Sequence, residues 1–172
     1  LKASASGTPV FGICGGYQML GEALCDSDQV EDGGTIQGMG LLPSETVFTG
    51  QKTRTRVNGT FVHVEGIFED LEGVQFEGYE IHMGETTYVE EMVVQEHMNQ
   101  IQDSVSGRIS EDGISDGNVY GTYVHGIFDM EGVTEVIINA LAKKKGITLE
   151  KAAGMDLKAF KEEQYDKLAD GI

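Results

Sequence analysis

The sequence predicts an α/β domain, a partly parallel sheet flanked by helices with a hairpin extension, and three observations carry that expectation. The first is a compact apolar run, Pro9 to Ile13, that passes through a glycine turn directly into helical spacing. The second is a pair of alternating stretches around Asn58-Gly59, the turn dipeptide that most favours a hairpin. The third is another apolar run, Val119 to His125, followed by an amphipathic segment that ends in lysines and a glycine. At 172 residues the chain fits one domain, 1–172.

In order, the Pro9 to Ile13 run fits a strand buried on both faces. Gly16, Met19, Leu20, Ala23 and Leu24 then mark the helix face that lies on it. The stretch from Asp26 to Gly40 is rich in Gly, Asp and Ser and is expected to form a surface loop. Thr53 to Val57 and Thr60 to Ile67 form the two arms of the hairpin. Gly78 to Met83 forms a short strand with Glu80 and His82 on one face and Tyr79 and Ile81 on the other. Thr87 to Asp103 fits neither period and is expected to be irregular. Ser104 to Ile109 and Ile114 to His125 are expected to pair as strands. Val133, Val136, Ile137, Ala140 and Leu141 mark one scaffold helix, and Leu157, Phe160, Tyr165 and Leu168 a second.

Charge excludes some partners. Lys and Arg total 12 against 29 Asp and Glu, a net charge of −17. Nucleic acid and anionic membrane surfaces are poor partners for such a surface. No apolar stretch approaches the roughly 20 residues of a membrane span, and no secretory leader opens the chain. Cys14 and Cys25, set eleven positions apart in or beside one predicted helix, stand too far apart for a disulfide. A reducing compartment, the cytoplasm, is the expected location.

Chemistry centres on Gly12-Ile13-Cys14-Gly15-Gly16. A G-x-C-x-G elbow between strand and helix holds its central residue in a strained conformation, and side chains two positions to either side would collide. The backbone N–H groups of the following helix face the sulfur and favour thiolate. Gly15 N–H stands next along as an oxyanion donor. A thiol at neutral pH needs a base, which histidine usually supplies. Of His63, His82, His97 and His125, the last ends an apolar strand as Cys14 does, and strand ends of a parallel sheet gather at one edge. His63 and His97 are read as histidines without a chemical role.

The segment Gly12-Ile13-Cys14-Gly15-Gly16-Tyr17-Gln18-Met19-Leu20-Gly21 resembles the nucleophile motif of class I glutamine amidotransferases, in the branch that serves cobalamin biosynthesis. Gly78-Tyr79-Glu80-Ile81-His82-Met83-Gly84, Gly121-Thr122-Tyr123-Val124-His125-Gly126-Ile127-Phe128-Asp129 and the tail from Phe160 to Asp170 narrow the resemblance. Together they are similar to the C-terminal domain of the cobyric acid synthase family across essentially the whole chain. The resemblance implies a flavodoxin-like fold and hydrolysis of L-glutamine, with the ammonia passed to an ATP-dependent amidation centre. Cys14 would attack, His125 would shuttle protons, Gly15 would hold the oxyanion and Gln18 would grip the substrate, or else face solvent from its helix.

The general pattern places a histidine-orienting glutamate two residues after the histidine; Ile127 stands there instead, as is typical of this branch. Asp129 or Glu80 could orient the imidazole. Glu80 and His82 could also line the site mouth or an ammonia exit, or form a structural pair. Arg54 and Arg56 share a face that could meet a carboxylate, though exposed hairpin residues are usually only solubilising.

The resemblance further implies strands and helices ahead of Leu1, including a loop that donates a second oxyanion N–H. Loss of one donor costs about 10² to 10³ in rate, so these 172 residues alone are expected to be a poor or inactive glutaminase. It also implies an N-terminal synthetase domain that holds ATP, Mg²⁺ and the corrinoid. No phosphate-binding G-x-x-x-x-G-K-[ST] loop occurs here, and neither a cofactor nor a metal site is expected in this chain. Competing readings are the amidotransferase subunit of lipid II amidation, a noncatalytic acidic interaction domain on the same fold, and a cysteine hydrolase for another amide.

Overall fold

A computed structural model describes residues 1–89, 96–149 and 157–170. After a one-turn helix α1 (Lys2–Ala5), the apolar run forms β1 (Val10–Ile13) and turns at Cys14 into α2 (Gly15–Leu20). Then follow β2 (Ala23–Asp26), β3 (Gly34–Gln37), β4 (Ser44–Phe61), β5 (Gln75–Tyr88), β6 (Asn99–Asp103), β7 (Ile109–Asp112), β8 (Ile114–Asp116) and β9 (Val119–Thr122). Helices α3 (Glu131–Lys145) and α4 (Leu157–Asp170) come last.

The strands form two sheets. One has the order β1-β9-β8, with β1 parallel to β9 and β8 antiparallel to it. The other has six strands built around β4, which pairs in parallel with β2 and antiparallel with β5 and β6, while β3 and β7 flank β2 and β6. The α/β expectation holds, and the parallel part consists of two pairs, β1/β9 and β2/β4. β5 couples the sheets: Tyr79 makes an isolated antiparallel bridge to His125, just beyond β9.

Two apolar clusters sit around this junction. Phe61, Phe68, Leu71, Phe76, Tyr120, Val124, Ile127 and Val133 belong to one, and Tyr17, Leu20, Leu42, Ile114, Val119 and Tyr123 form the other. Burying such side chains contributes about 1.5–3 kcal/mol each. Helix α3 seals the first cluster with Val133 and ends as its sequence anticipates, on Lys143-Lys144-Lys145 and a left-handed Gly146.

Several local expectations are corrected. The hairpin does not turn at Asn58-Gly59, since β4 runs straight through, pairing Asn58 with Glu77 and Gly59 with Phe76. Gly59 is there because a Cβ would run into the Phe76 ring, which packs edge-on against Phe61 across the strand pair. The actual β4–β5 connection contains a 3₁₀ turn, Gly66–Leu71. Helix α2 stops at Leu20, so Ala23 and Cys25 lie in a strand, and Met19, expected on the covered face of the helix, is half exposed. The two cysteines are both free, on separate elements.

The Asp26 to Gly40 loop contains β3, folded onto β2 around the buried Asp26, whose carboxylate accepts the N–H groups of Val30, Glu31 and Gly33. In the irregular stretch, residues 90–95 lie outside the described residues, Thr87 and Tyr88 end β5, and 99–103 form β6. The strand expected at Ser104 to Ile109 is a turn capped by Asp103, whose Oδ1 accepts from Val105 and Ser106 N–H. β8, not that segment, pairs with β9. On α4, Tyr165 and Leu168 are exposed.

Candidate active site

Cys14 links β1 to α2 in a conformation rare for any residue with a Cβ, φ 53° and ψ −116°. Its N–H donates to the Thr122 carbonyl, continuing the β1/β9 ladder one residue past Ile13. Its carbonyl accepts from Gln18 N–H and so starts the helix. The tightness of the bend is visible at Gly12, where a Cβ would lie 2.6 Å from Leu20 Cδ1 and 2.8 Å from the Gly16 carbonyl carbon; the same collision expected at Gly16 does not occur, since a Cβ there meets nothing within 4 Å. Strain of this kind persists only where the surrounding structure enforces it, and it clusters at functional sites. Gly15 follows at the first position of α2, where a helix leaves its N–H groups without intrahelical partners. With six residues, α2 presents those N–H groups more than any long-helix dipole.

His125 stands three residues beyond the end of β9 and is held by β5. Tyr79 N–H donates to the His125 carbonyl at 3.1 Å, and His125 N–H donates to the Tyr79 carbonyl at 2.8 Å. The two rings stack with centroids 5.0 Å apart and planes within 4°. The imidazole Nε2 is shielded from solvent and has no hydrogen-bond partner. Two residues further along β5, the Ile81 carbonyl accepts from the Cys14 Sγ–H at 3.4 Å. Cys14 and His125 therefore abut β5 at positions two residues apart, a span of about 7 Å along a strand. The strand ends gather the two side chains to one edge.

Of the remaining predicted residues, Gln18, Glu80 and His82 gather around Tyr123, and Asp129 lies in the turn after His125. Gln18 is buried, 7% exposed, and does not face solvent from its helix. Its Nε2 donates to the Tyr123 hydroxyl at 3.3 Å, and Gly84 makes room for it, since a Cβ there would lie 2.6 Å from that nitrogen. Tyr123 in turn exchanges a hydrogen bond with Thr86 and packs edge-on against Tyr17. Burial pushes the Tyr17 and Tyr123 phenols up, so both stay protonated.

Glu80 and His82 face away from His125, because strand alternation puts them on the face of β5 opposite Tyr79. Glu80 accepts from His82 Nε2 at 3.4 Å, so it does not orient the catalytic candidate. His82 also donates from Nδ1 to the Gly84 carbonyl at 2.8 Å and stacks on Tyr123 at 3.8 Å. Burial alone would lower the His82 pKa, but the Glu80 carboxylate and the Gly84 carbonyl outweigh it and hold it above 6.5. Both nitrogens then donate, as an imidazolium requires. This pair lines an open polar cavity of about 600 Å³ with Tyr17, Tyr123, Arg108 and Asp112.

Asp112 was not singled out by the sequence. Burial pushes its carboxyl pKa up, although it accepts from the Thr122 hydroxyl, Tyr123 N–H at 3.0 Å and Asn99 Nδ2 at 3.0 Å. It fixes the chain between β9 and His125. Only three-dimensional proximity reveals it, because Glu111-Asp112-Gly113 looks like an ordinary turn in the sequence.

Asp129 lies exposed at the end of the 3₁₀ turn Ile127–Asp129, with Oδ2 3.8 Å from where a Gly126 Cβ would sit. Ile127 is fully buried in the first apolar cluster. His63 pairs with Glu65 and Glu96, and His97 with Glu111. Arg54 and Arg56 pair across to Ile81 and Tyr79 through the backbone ladder of β4 and β5. Among the described residues, no group of three or more His, Cys, Asp and Glu side chains could hold a metal ion.

Residues 1–133, a span that contains Cys14 and His125, match the CobB/CobQ-like glutamine amidotransferase domain family. The chain is 52% identical to a cobyric acid synthase of Ruminiclostridium cellulolyticum, covering 99% of this chain and 33% of that one. A cobyric acid synthase of Lachnoclostridium phytofermentans is 49% identical, covering 100% and 34%, and one of Citrobacter koseri 41% identical, covering 100% and 33%. The chain thus spans about a third of the length of the curated relatives it matches. Among solved structures, a glutamine amidotransferase from Thermotoga maritima aligns at 14% identity with a TM-score of 0.42, over 86% of this chain and 54% of its own.

Proposed function

The chain belongs to the CobB/CobQ-like glutamine amidotransferase domain family, and from that premise we propose that it releases ammonia from L-glutamine with Cys14 as nucleophile and His125 as proton carrier. The observation that carries this reading is the strained Cys14 elbow facing the same short stretch of β5 that clamps His125.

In the reaction, His125 takes the Cys14 thiol proton as sulfur attacks the side-chain amide carbon of glutamine. The tetrahedral oxyanion meets the Gly15 N–H. Collapse breaks the C–N bond as the imidazolium protonates the departing nitrogen, which leaves as ammonia. The same imidazole then deprotonates water, which adds to the γ-glutamyl thioester and frees glutamate and Cys14. Gln18, tied through Nε2 to Tyr123, has its carbonyl oxygen left to accept from a substrate amine or amide.

The family resemblance in the sequence extends the proposal to the whole protein: the ammonia goes to an ATP- and Mg²⁺-dependent synthetase domain that amidates peripheral carboxylates of adenosylcobyrinic acid a,c-diamide. Two free thiols support a reducing, cytoplasmic setting. No helix among the described residues is long and apolar enough to cross a membrane.

The test is glutamate release by the longest native polypeptide that contains these residues. C14A and H125N should each lower kcat by at least about 10³, as loss of a nucleophile or its base does in hydrolases that work this way. Retention of full activity by either variant overturns the assignment.

A further inference from the structure

A proton-carrying imidazole has to be held in one orientation, and in the pattern this chain departs from, a carboxylate two residues on does so. Here that position is closed to such a role. Ile127 is fully buried among Phe68, Leu71, Val124 and Val133. A carboxylate there would be taken out of water without a partner and held within the apolar cluster. Glu80 is engaged with His82 on the other face of β5.

Among the described residues, Tyr79 stacks on the ring. We propose that Tyr79 is the positioning residue for His125, fixing the imidazole by face-to-face stacking on a backbone clamp that β5 makes with the segment after β9. The proposal rests on His125 being the proton carrier.

Four observations support it. The two backbone hydrogen bonds between Tyr79 and His125 are reciprocal, as in a narrow antiparallel pair, so the two Cα atoms are locked in register. The rings are stacked and nearly parallel with centroids 5.0 Å apart, so the tyrosine face restricts rotation of the imidazole. The clamp is built for close approach, since a Cβ at Gly78 would collide with the His125 carbonyl and Val124 Cγ1. Beyond His125, Gly126 takes φ +80°, a left-handed turn that carries the chain directly into the core at Ile127.

With the ring stacked on one face, Nε2 carries no hydrogen bond and is free to exchange a proton. Tyr79 touches neither sulfur nor substrate in this account. Its hydroxyl is not required, and its ring is.

The experiment uses Y79F, Y79L, Y79A and H125N in the longest native polypeptide containing the chain, with glutamate release measured alongside NMR of selectively labelled histidine. Y79F should keep kcat within about twofold, whereas Y79L and Y79A should lose about 10- to 100-fold in kcat with KM nearly unchanged, the signature of lost alignment rather than lost binding. Upfield ring-current shifts of the His125 ring protons should persist in Y79F and vanish in Y79L and Y79A. Y79L keeps apolar bulk on the strand and controls for folding. If Y79L and Y79A turn over normally while H125N is inactive, the positioning role falls and the His125 assignment stands. If H125N is itself active, both fall.

Discussion

At the residue scale, the site depends on a few positions where a methyl group is too much. Gly12→Ala would put its Cβ 2.8 Å from the Gly16 carbonyl carbon, and backbone cannot yield as a flexible side chain can. We expect a loss of about 1–3 kcal/mol in stability, read from the denaturant midpoint, together with loss of turnover. Gly16→Ala meets nothing within 4 Å in this structure and serves as the matched control: its midpoint should shift by well under 1 kcal/mol. A midpoint drop for Gly16→Ala equal to that for Gly12→Ala would contradict the elbow geometry. The elbow was legible in the sequence because a glycine two positions before a cysteine at a strand-to-helix turn has few other uses, although Gly16, read the same way, has room for a side chain. The clamp was not: Tyr79 reads as the outward residue of a half-buried strand, and nothing local says that His125 lies on it. Asp112 was hidden for the same reason, being joined to Thr122, Tyr123 and Asn99 only by folding.

At the element scale, β5 carries one function on each face. Tyr79 and the Ile81 carbonyl hold the candidate catalytic pair, while Glu80 and His82 form a buried ion pair over the polar cavity. Because the folded His82 pKa is raised, the pair contributes stability that is fully present below about pH 6.5, the unfolded value, and is lost as pH rises through the folded value. Glu80→Gln removes the main group that raises it. Plots of unfolding free energy against pH should fall across this window in the wild type and be flatter in E80Q, with glutaminase kcat little changed; an unaltered slope would show that Glu80 does not hold the proton on His82. The lengths of these strands escaped the sequence because Asn58-Gly59 imitates a turn. In the fold, the same glycine lets the Phe76 ring cross β4, so an aromatic contact three-dimensional in origin overrides the local signal. The early end of α2 has a similar cause: Gly21 leaves the helix in an extended conformation, and Ala23 to Cys25 gain a parallel partner in β4.

At the scale of the whole molecule, the acidic surface and the site are separate matters. A net charge of −17 on 172 residues means that the compact state repels itself, so added salt should stabilise it. The melting temperature should rise between about 10 mM and 200 mM NaCl, a range over which the Debye length falls from about 30 Å to below 10 Å; a fall would mean that attractive pairs dominate instead. Order along the chain was readable, with apolar strand, elbow, helix, then a second apolar strand delivering a histidine, since each link is local. The split into two sheets was not, because β4 distributes its partners over β2, β5 and β6 through contacts with no local signature. The central claim, that this arrangement makes Cys14 a glutamine-directed nucleophile served by His125, is tested most directly by mass spectrometry after treatment with 6-diazo-5-oxo-norleucine, in the presence and absence of glutamine. The account predicts a single adduct on Cys14, suppressed by glutamine and strongly slowed in H125N, with Cys25 unmodified. Modification of Cys25, or labelling of Cys14 that is indifferent to glutamine and to His125, would contradict it.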